Sequence, residues 1–234
     1  MSLPFIPIAD QLNWLPRTPY AAVAVAPGLP PGYEVYLQLL PPLGIDRSIP
    51  IAEYSFATKT VAELNARVAF WDKYGIVLGQ PSPEKLEAIT YREVAASLDL
   101  NYDAQISGAA IARAYGSWPP HLGSSPALEA AFVQQLLQGI GPTVESYFHG
   151  ADEEGNGHWE SDDSRADWLK HGLSADLPEI CRWGGRPPTY FFAADHSWCF
   201  YQSEEAPMVV GCAKHLAQAL LAQPKLEILS LSDL

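Results

Sequence analysis

The sequence predicts an α+β fold, a single domain over residues 1–234 whose largely antiparallel sheet is covered by helices. Three observations predict it. First, two aromatic runs, Tyr190-Phe191-Phe192 and Trp198-Cys199-Phe200-Tyr201, flank a short Ala194-Asp195-His196 turn, the pattern of a β-hairpin. Behind this hairpin come Met208-Val209-Val210-Gly211, a helical run over 212–222 stopped by Pro224, and a last apolar strand over 226–231. Residues 187–231 therefore read as a hairpin-helix-strand unit central to the sheet. Second, Thr60 and Thr90 stand where helix N-caps are expected, and Thr90 is followed three residues later by Glu93, a capping box. Third, hydrophobic residues make up 48% of the chain and seven are Trp, enough to fill a sizeable core.

In chain order, residues 1–19 carry Pro4, Pro7 and Pro16 and are expected to form an extended arm with Trp14 as an anchor. Residues 20–26 suit a first strand, Pro27-Gly28-Leu29-Pro30-Pro31-Gly32 a turn, and the alternation of 33–39 a second strand, so 20–39 predicts a hairpin. The pattern over 46–56 points to no single element. The helix capped by Thr60 runs to Tyr74, with Val61, Leu64, Val68 and Trp71 expected on one face and Gly75 as C-cap. Ser82-Pro83 opens a short helix with Pro at its first position. Helices are expected over 91–98, over 106–115 before Gly116, and over 126–137, where Leu128, Phe132, Leu136 and Leu137 fall at helical spacing. Residues 143–149 alternate as a strand, an acidic loop fills 150–163, a short helix is expected over 165–173, and 177–185 is a loop or helix.

The charge balance narrows the function classes. With 27 acidic residues against 14 basic ones the net charge is −13, which repels a phosphate backbone and argues against nucleic-acid binding. Three cysteines form no regular framework and fit a reducing compartment. The first ten residues lack the basic and apolar regions of a signal peptide, and no apolar run reaches the ~18 residues of a membrane span. The expectation is a cytoplasmic protein with no membrane partner.

Several short stretches carry a resemblance: Pro119-Pro120-His121-Leu122-Gly123 with the helix after it, the aromatic strand before Gly150, Ala194-Asp195-His196-Ser197-Trp198, Val210-Gly211 with its helix, and Pro224-Lys225-Leu226-Glu227. With Arg92-Glu93-Val94-Ala95 in the first half, they resemble a group of uncharacterised bacterial proteins. The resemblance implies no activity.

Candidate sites follow from residue type and spacing. His196-x-x-Cys199 and Cys212-x-x-His215 offer four nitrogen and sulfur ligands at intervals seen in zinc sites. Against that, Cys199 lies in a strand run where it would point into packing, and buried free cysteines are common core residues. Asp152, Glu154, Asn156, Gly157, Glu160 and Asp163 fall on the spacing of an EF-hand loop, but Asp163 stands where a bidentate Glu is usual and Trp159 replaces an aliphatic residue. A solvated acidic loop explains them as well. Asp195, His196 and Ser197 have the residue types of a triad, yet three neighbours in one turn cannot align as nucleophile, base and orienter. No nucleophile elbow, phosphate loop or dinucleotide fingerprint occurs, so no catalytic residue is assigned.

The leading expectation is a non-catalytic protein-binding module. Its surface would be acidic and aromatic: Asp152, Glu153, Glu154, His158, Trp159, Glu160, Asp162, Asp163 and Trp168. Aromatic anchors beside carboxylates suit a basic protein partner, as in a bacterial immunity protein that blocks a basic toxin. No cofactor is expected in this reading. The alternative is a metal-dependent enzyme or metalloprotein using the His and Cys of the C-terminal unit or the acidic loop over 152–163.

Overall fold

The computed structural model describes residues 3, 11–16, 26, 28–151, 167–184, 188–202 and 207–231. Among the described residues, six α-helices, a seven-stranded sheet and a small three-stranded sheet make it α+β, and every strand pairing with a defined register is antiparallel. Contacts divide the chain into two compact units, Leu40–Phe132 and the stretches on either side of it.

The larger unit holds the seven-stranded sheet. Its strands are β1 (Val35–Leu40), β5 (Glu145–Ala151), β6 (Asp167–Leu173), β7 (Tyr190–Ala193), β8 (Trp198–Tyr201), β9 (Met208–Cys212) and β10 (Glu227–Ser230), in spatial order β10-β1-β9-β8-β7-β5-β6. Directly opposed residues of an antiparallel pair share a face, so the register sorts the side chains. On one face Phe148, Phe191, Phe200, Val210 and Leu37 form a single row across five strands, all buried. Phe191 stacks between Phe148 at 5.0 Å and Phe200 at 5.8 Å, with Trp198 edge-on at 4.7 Å. Each such side chain taken out of water contributes about 2 kcal/mol.

The opposite face carries aromatic residues with polar tips: Tyr147 pairs with Phe192, and His149 with Tyr190 and, across β8, Tyr201. Residues near the N-terminus cover it. Trp14 meets Phe192 edge-on at 5.1 Å, as expected of an anchor, and the Tyr190 hydroxyl donates to the Gly28 carbonyl at 2.9 Å. Gly28 has φ +83, and a methyl there would fall inside the Tyr201 ring, so glycine is required twice over. Gly211 fills the same need for Tyr33, whose ring lies on it.

Three expectations change in this unit. Strand β1 has β9 and β10 as its neighbours, so both its edges are taken and a 20–39 hairpin has no place; of the expected partner strand only Ala26 falls within the described residues. The alternation identified the strand, but its partners come from the far end of the chain. The helix expected over 165–173 is not found in its described part: Asp167–Leu173 is β6, paired with β5 over seven residues, and 165–166 lie outside the described residues. Long-range pairing overrides local preference there. Cys212 closes β9 rather than opening a helix, and α6 begins two residues later, at Lys214–Leu221. The Glu34 carboxylate accepts from the Lys214 N–H at 2.9 Å, filling a cap role that Ala213 cannot. The stretch over 177–185 is a helix, α5 (Leu177–Gly184). Helix α4 (Pro126–Ile140) carries Gly139 against Leu220 of α6.

The smaller unit joins β2 (Leu43–Ile45), β3 (Glu87–Ile89) and β4 (Leu122–Gly123) in order β3-β2-β4 with helices α1 (Val61–Tyr74), α2 (Tyr91–Ser97) and α3 (Gly108–Tyr115). The helix boundaries follow the caps. The Thr60 hydroxyl accepts from the Glu63 N–H and the Glu63 carboxylate accepts from the Thr60 N–H at 2.8 Å, and Gly75 ends α1 at φ 68. Thr90 and Glu93 repeat the capping box in α2. The face of α1 that carries Val61, Leu64, Val68 and Trp71 is not its buried one. Val61, Leu64 and Val68 are 73%, 46% and 52% exposed, while Phe70 is the buried residue, packed with Ile49, Tyr54 and Ile76. Helical spacing marks an apolar stripe but not which stripe finds a neighbour.

Candidate functional site

Of the residues expected to form an acidic-aromatic surface, Trp168 lies on the β5–β6 hairpin at the sheet's edge. The ladder runs from Glu145 opposite Leu173 to Ala151 opposite Asp167, so residues 152–166 leave and rejoin the sheet at one residue pair. Asp152, Glu153, Glu154, His158, Trp159, Glu160, Asp162 and Asp163 lie outside the described residues, as does the EF-hand spacing they include. Trp168 is described and half-buried, the second residue of β6. It sits opposite Gly150, where a methyl would fall inside its ring, and the Lys170 ammonium lies 5.7 Å above that ring. Glu145 and His171 close the hairpin's other end, Nε2 to Oε1 at 2.8 Å, with Tyr147 at 4.7 Å from the imidazole.

The histidines and cysteines of the C-terminal unit are not gathered. Cys212 is opposite Trp198, so the neighbouring Cys199 points to the other face of the sheet. Burial pushes the Cys199 thiol far above its ordinary pKa and, with Glu34 adding to it, pushes Cys212 up to about 11. Both stay protonated thiols at neutral pH, and the Cys199 Sγ–H donates to the Phe200 carbonyl. His196 is stacked on Trp14 at 4.1 Å, and His215 is exposed on α6. Among the described residues no three His, Cys, Asp or Glu side chains are placed to hold a metal ion. The Asp195 carboxylate accepts from the Ser197 N–H at 2.9 Å, and hydrogen bonds from Ser197 hold its pKa down. This is the chemistry of a tight turn, with His196 at φ 59.

Sequence reasoning missed a buried polar pair in the smaller unit. The ladder of β2 and β4 ends where the Asp46 N–H donates to the His121 carbonyl at 2.9 Å. Both side chains are buried, at 3% and 7% exposure. Asp46 Oδ1 accepts from the Ser48 N–H at 2.9 Å and the Ser48 hydroxyl at 2.6 Å. Its Oδ2, the His121 Nδ1 and the Ser124 hydroxyl are buried with no hydrogen-bond partner among the described residues. Tyr115 meets the imidazole edge-on at 5.8 Å. Burial lowers the His121 pKa to about 4 against the opposing pull of Asp46, so the ring is neutral at pH 7. Asp46-x-Ser48 was readable as a turn that folds a carboxylate onto its own backbone, but nothing local pairs it with His121, 75 positions away.

No protein-family model matches the chain, and neither a curated protein nor a solved structure matches it. No helix among the described residues is long and apolar enough to cross a membrane.

Proposed function

We propose that the protein is a non-catalytic binding protein that captures a basic protein partner with the acidic segment over 152–163 and the aromatic residues Trp159 and Trp168. The observation that supports this reading is that Ala151 and Asp167, the residues on either side of 152–166, are an opposed pair at the end of an edge hairpin. Trp168 follows in β6, half-exposed and packed against Gly150 with Lys170 over its ring. Residues 152–166 hold six acidic side chains against one basic, a strong local contribution to the net charge of −13. Such a field accelerates capture of a cationic protein and disfavours nucleic acid. An immunity-type inhibitor that occludes a basic toxin in the cytoplasm is the concrete form of this function.

The test reverses Asp152, Glu153, Glu154, Asp162 and Asp163 to Lys and compares pulldown and association kinetics with the partner. The expected result is a fall in association rate of about 10-fold or more at low salt that disappears at high salt. Capture that is indifferent to the reversals overturns the proposal.

A further inference from the structure

We infer that two copies of this chain associate through helix α1, each burying the same exposed apolar stripe against the other. Val61, Leu64, Val68 and Trp71 follow each other at intervals of three, four and three residues. That is the spacing of a two-helix seam, with β-branched Val alternating with Leu in the order that favours pairs. The first three are 73%, 46% and 52% exposed, and Trp71 is half-buried. The stripe continues past the helix end. Gly79 lies against the Trp71 ring, and the turn it belongs to is closed by Val77 and Gln80, each N–H donating to the other's carbonyl at 2.9 Å. At its tip Val77 and Leu78 are 71% and 91% exposed, and Leu78 is held at φ 51, a conformation a leucine rarely adopts.

Charge identifies the occupant. Three of the four ionic groups of the helix are engaged within the chain, and the fourth, Asp72, is exposed beside Trp71. The Glu63 carboxylate is spent on the capping box, Arg67 donates to the Phe56 carbonyl at 2.9 Å under the Tyr54 ring, and Lys73 pairs with Glu53 at 3.5 Å. Helix α1 itself carries two acidic and two basic residues, a neutral island on a chain of net charge −13. A basic partner finds a single exposed carboxylate on this helix, Asp72, against the six acidic residues over 152–166, whereas a second copy presents an equally apolar and neutral stripe and can bury it with Asp72 left at the edge. The helix spans about 21 Å. A seam of that length, extended by the turn, falls toward the low end of specific interfaces, near or below about 1,200 Å² in total. The association is therefore weak and concentration-dependent.

Sedimentation velocity on the whole protein from about 1 to 300 μM, the range in which an interface of this size assembles, tests it. The mass is expected to rise from 25.6 kDa toward twice that value. Raising salt screens the mutual repulsion of two acidic molecules, so it strengthens the dimer, opposite to its effect on capture by the acidic segment. Leu64→Lys and Val68→Asp abolish the dimer with an unchanged circular dichroism spectrum. Leu78→Ser, at a tip remote from any core, weakens it several-fold and covers the case in which a helix variant fails to fold. A wild type that stays monomeric throughout, or a dimer that persists unweakened in Leu64→Lys and Leu78→Ser, overturns the proposal.

Discussion

The seven-stranded sheet and the unit formed by Leu40–Phe132 handle the same kinds of side chain in opposite ways. In the sheet every aromatic row finds a partner across the strands, and the hydroxyl of the buried Tyr190 reaches a backbone carbonyl. In the smaller unit, valines and leucines stand in solvent while a carboxylate and an imidazole are buried with open hydrogen-bonding positions. The difference is one of available neighbours. Strands of four to seven residues offer many cross-strand pairs, whereas β2, β3 and β4 have three, three and two residues. A unit with so little sheet satisfies its side chains less completely, and its unmet needs mark where it changes with pH or meets another molecule.

The largest expected effect tests the buried pair. Folded His121 binds a proton near pH 4 and an unfolded imidazole near 6.5, so between these values the unfolded state takes up more protons. The stability this burial permits is complete above pH 6.5 and drains away as pH falls, by about 3 kcal/mol by pH 4. In urea titrations from pH 7 to pH 4, His121→Phe should lose that part of the slope; equal slopes in both proteins would remove the buried pair from the comparison. Next comes the sheet. Gly211→Val drives a branched side chain into the Tyr33 ring and should cost about 2 kcal/mol, read as a lower denaturation midpoint at unchanged m. A neutral outcome would mean the sheet's polar face is as loosely covered as the smaller unit. The smallest effect is at α1: Thr60→Ala removes the cap acceptor and should cost about 1 kcal/mol, seen in the thermal midpoint. A much larger loss would show that α1 is held by its own turn more than by Phe70.

How far the sequence could be read follows the range of the interactions. Thr60, Thr90, Gly75 and Gly116 marked helix ends because capping is settled within four residues. The Tyr190–Tyr201 hairpin was readable because its turn and both strands are contiguous. Strand β6 was not, because what makes Asp167–Leu173 extended is its ladder with β5, with Gly150 making room for Trp168. The stripe on α1 was legible as one face of a helix but not as an exposed one, since burial depends on what lies opposite and not on spacing. For the sites, Cys199 and Cys212 were matched to a metal by interval alone, and a one-residue offset in register sets them on opposite faces. Asp46 and His121 carried no local signal of their pairing, because the β2–β4 ladder is what brings them together.

Strand β1 lies between β9 and β10, with Val35 facing Cys212. During translation at about 5–20 residues per second, the ribosome delivers this strand roughly 10–30 s before either companion exists. Throughout that interval Leu37 and Leu39, destined for complete burial, are carried on an unpaired edge. The nascent chain therefore passes through a long vulnerable stage, and the concentration of β1-bearing intermediates governs how much of the product aggregates before the sheet can close.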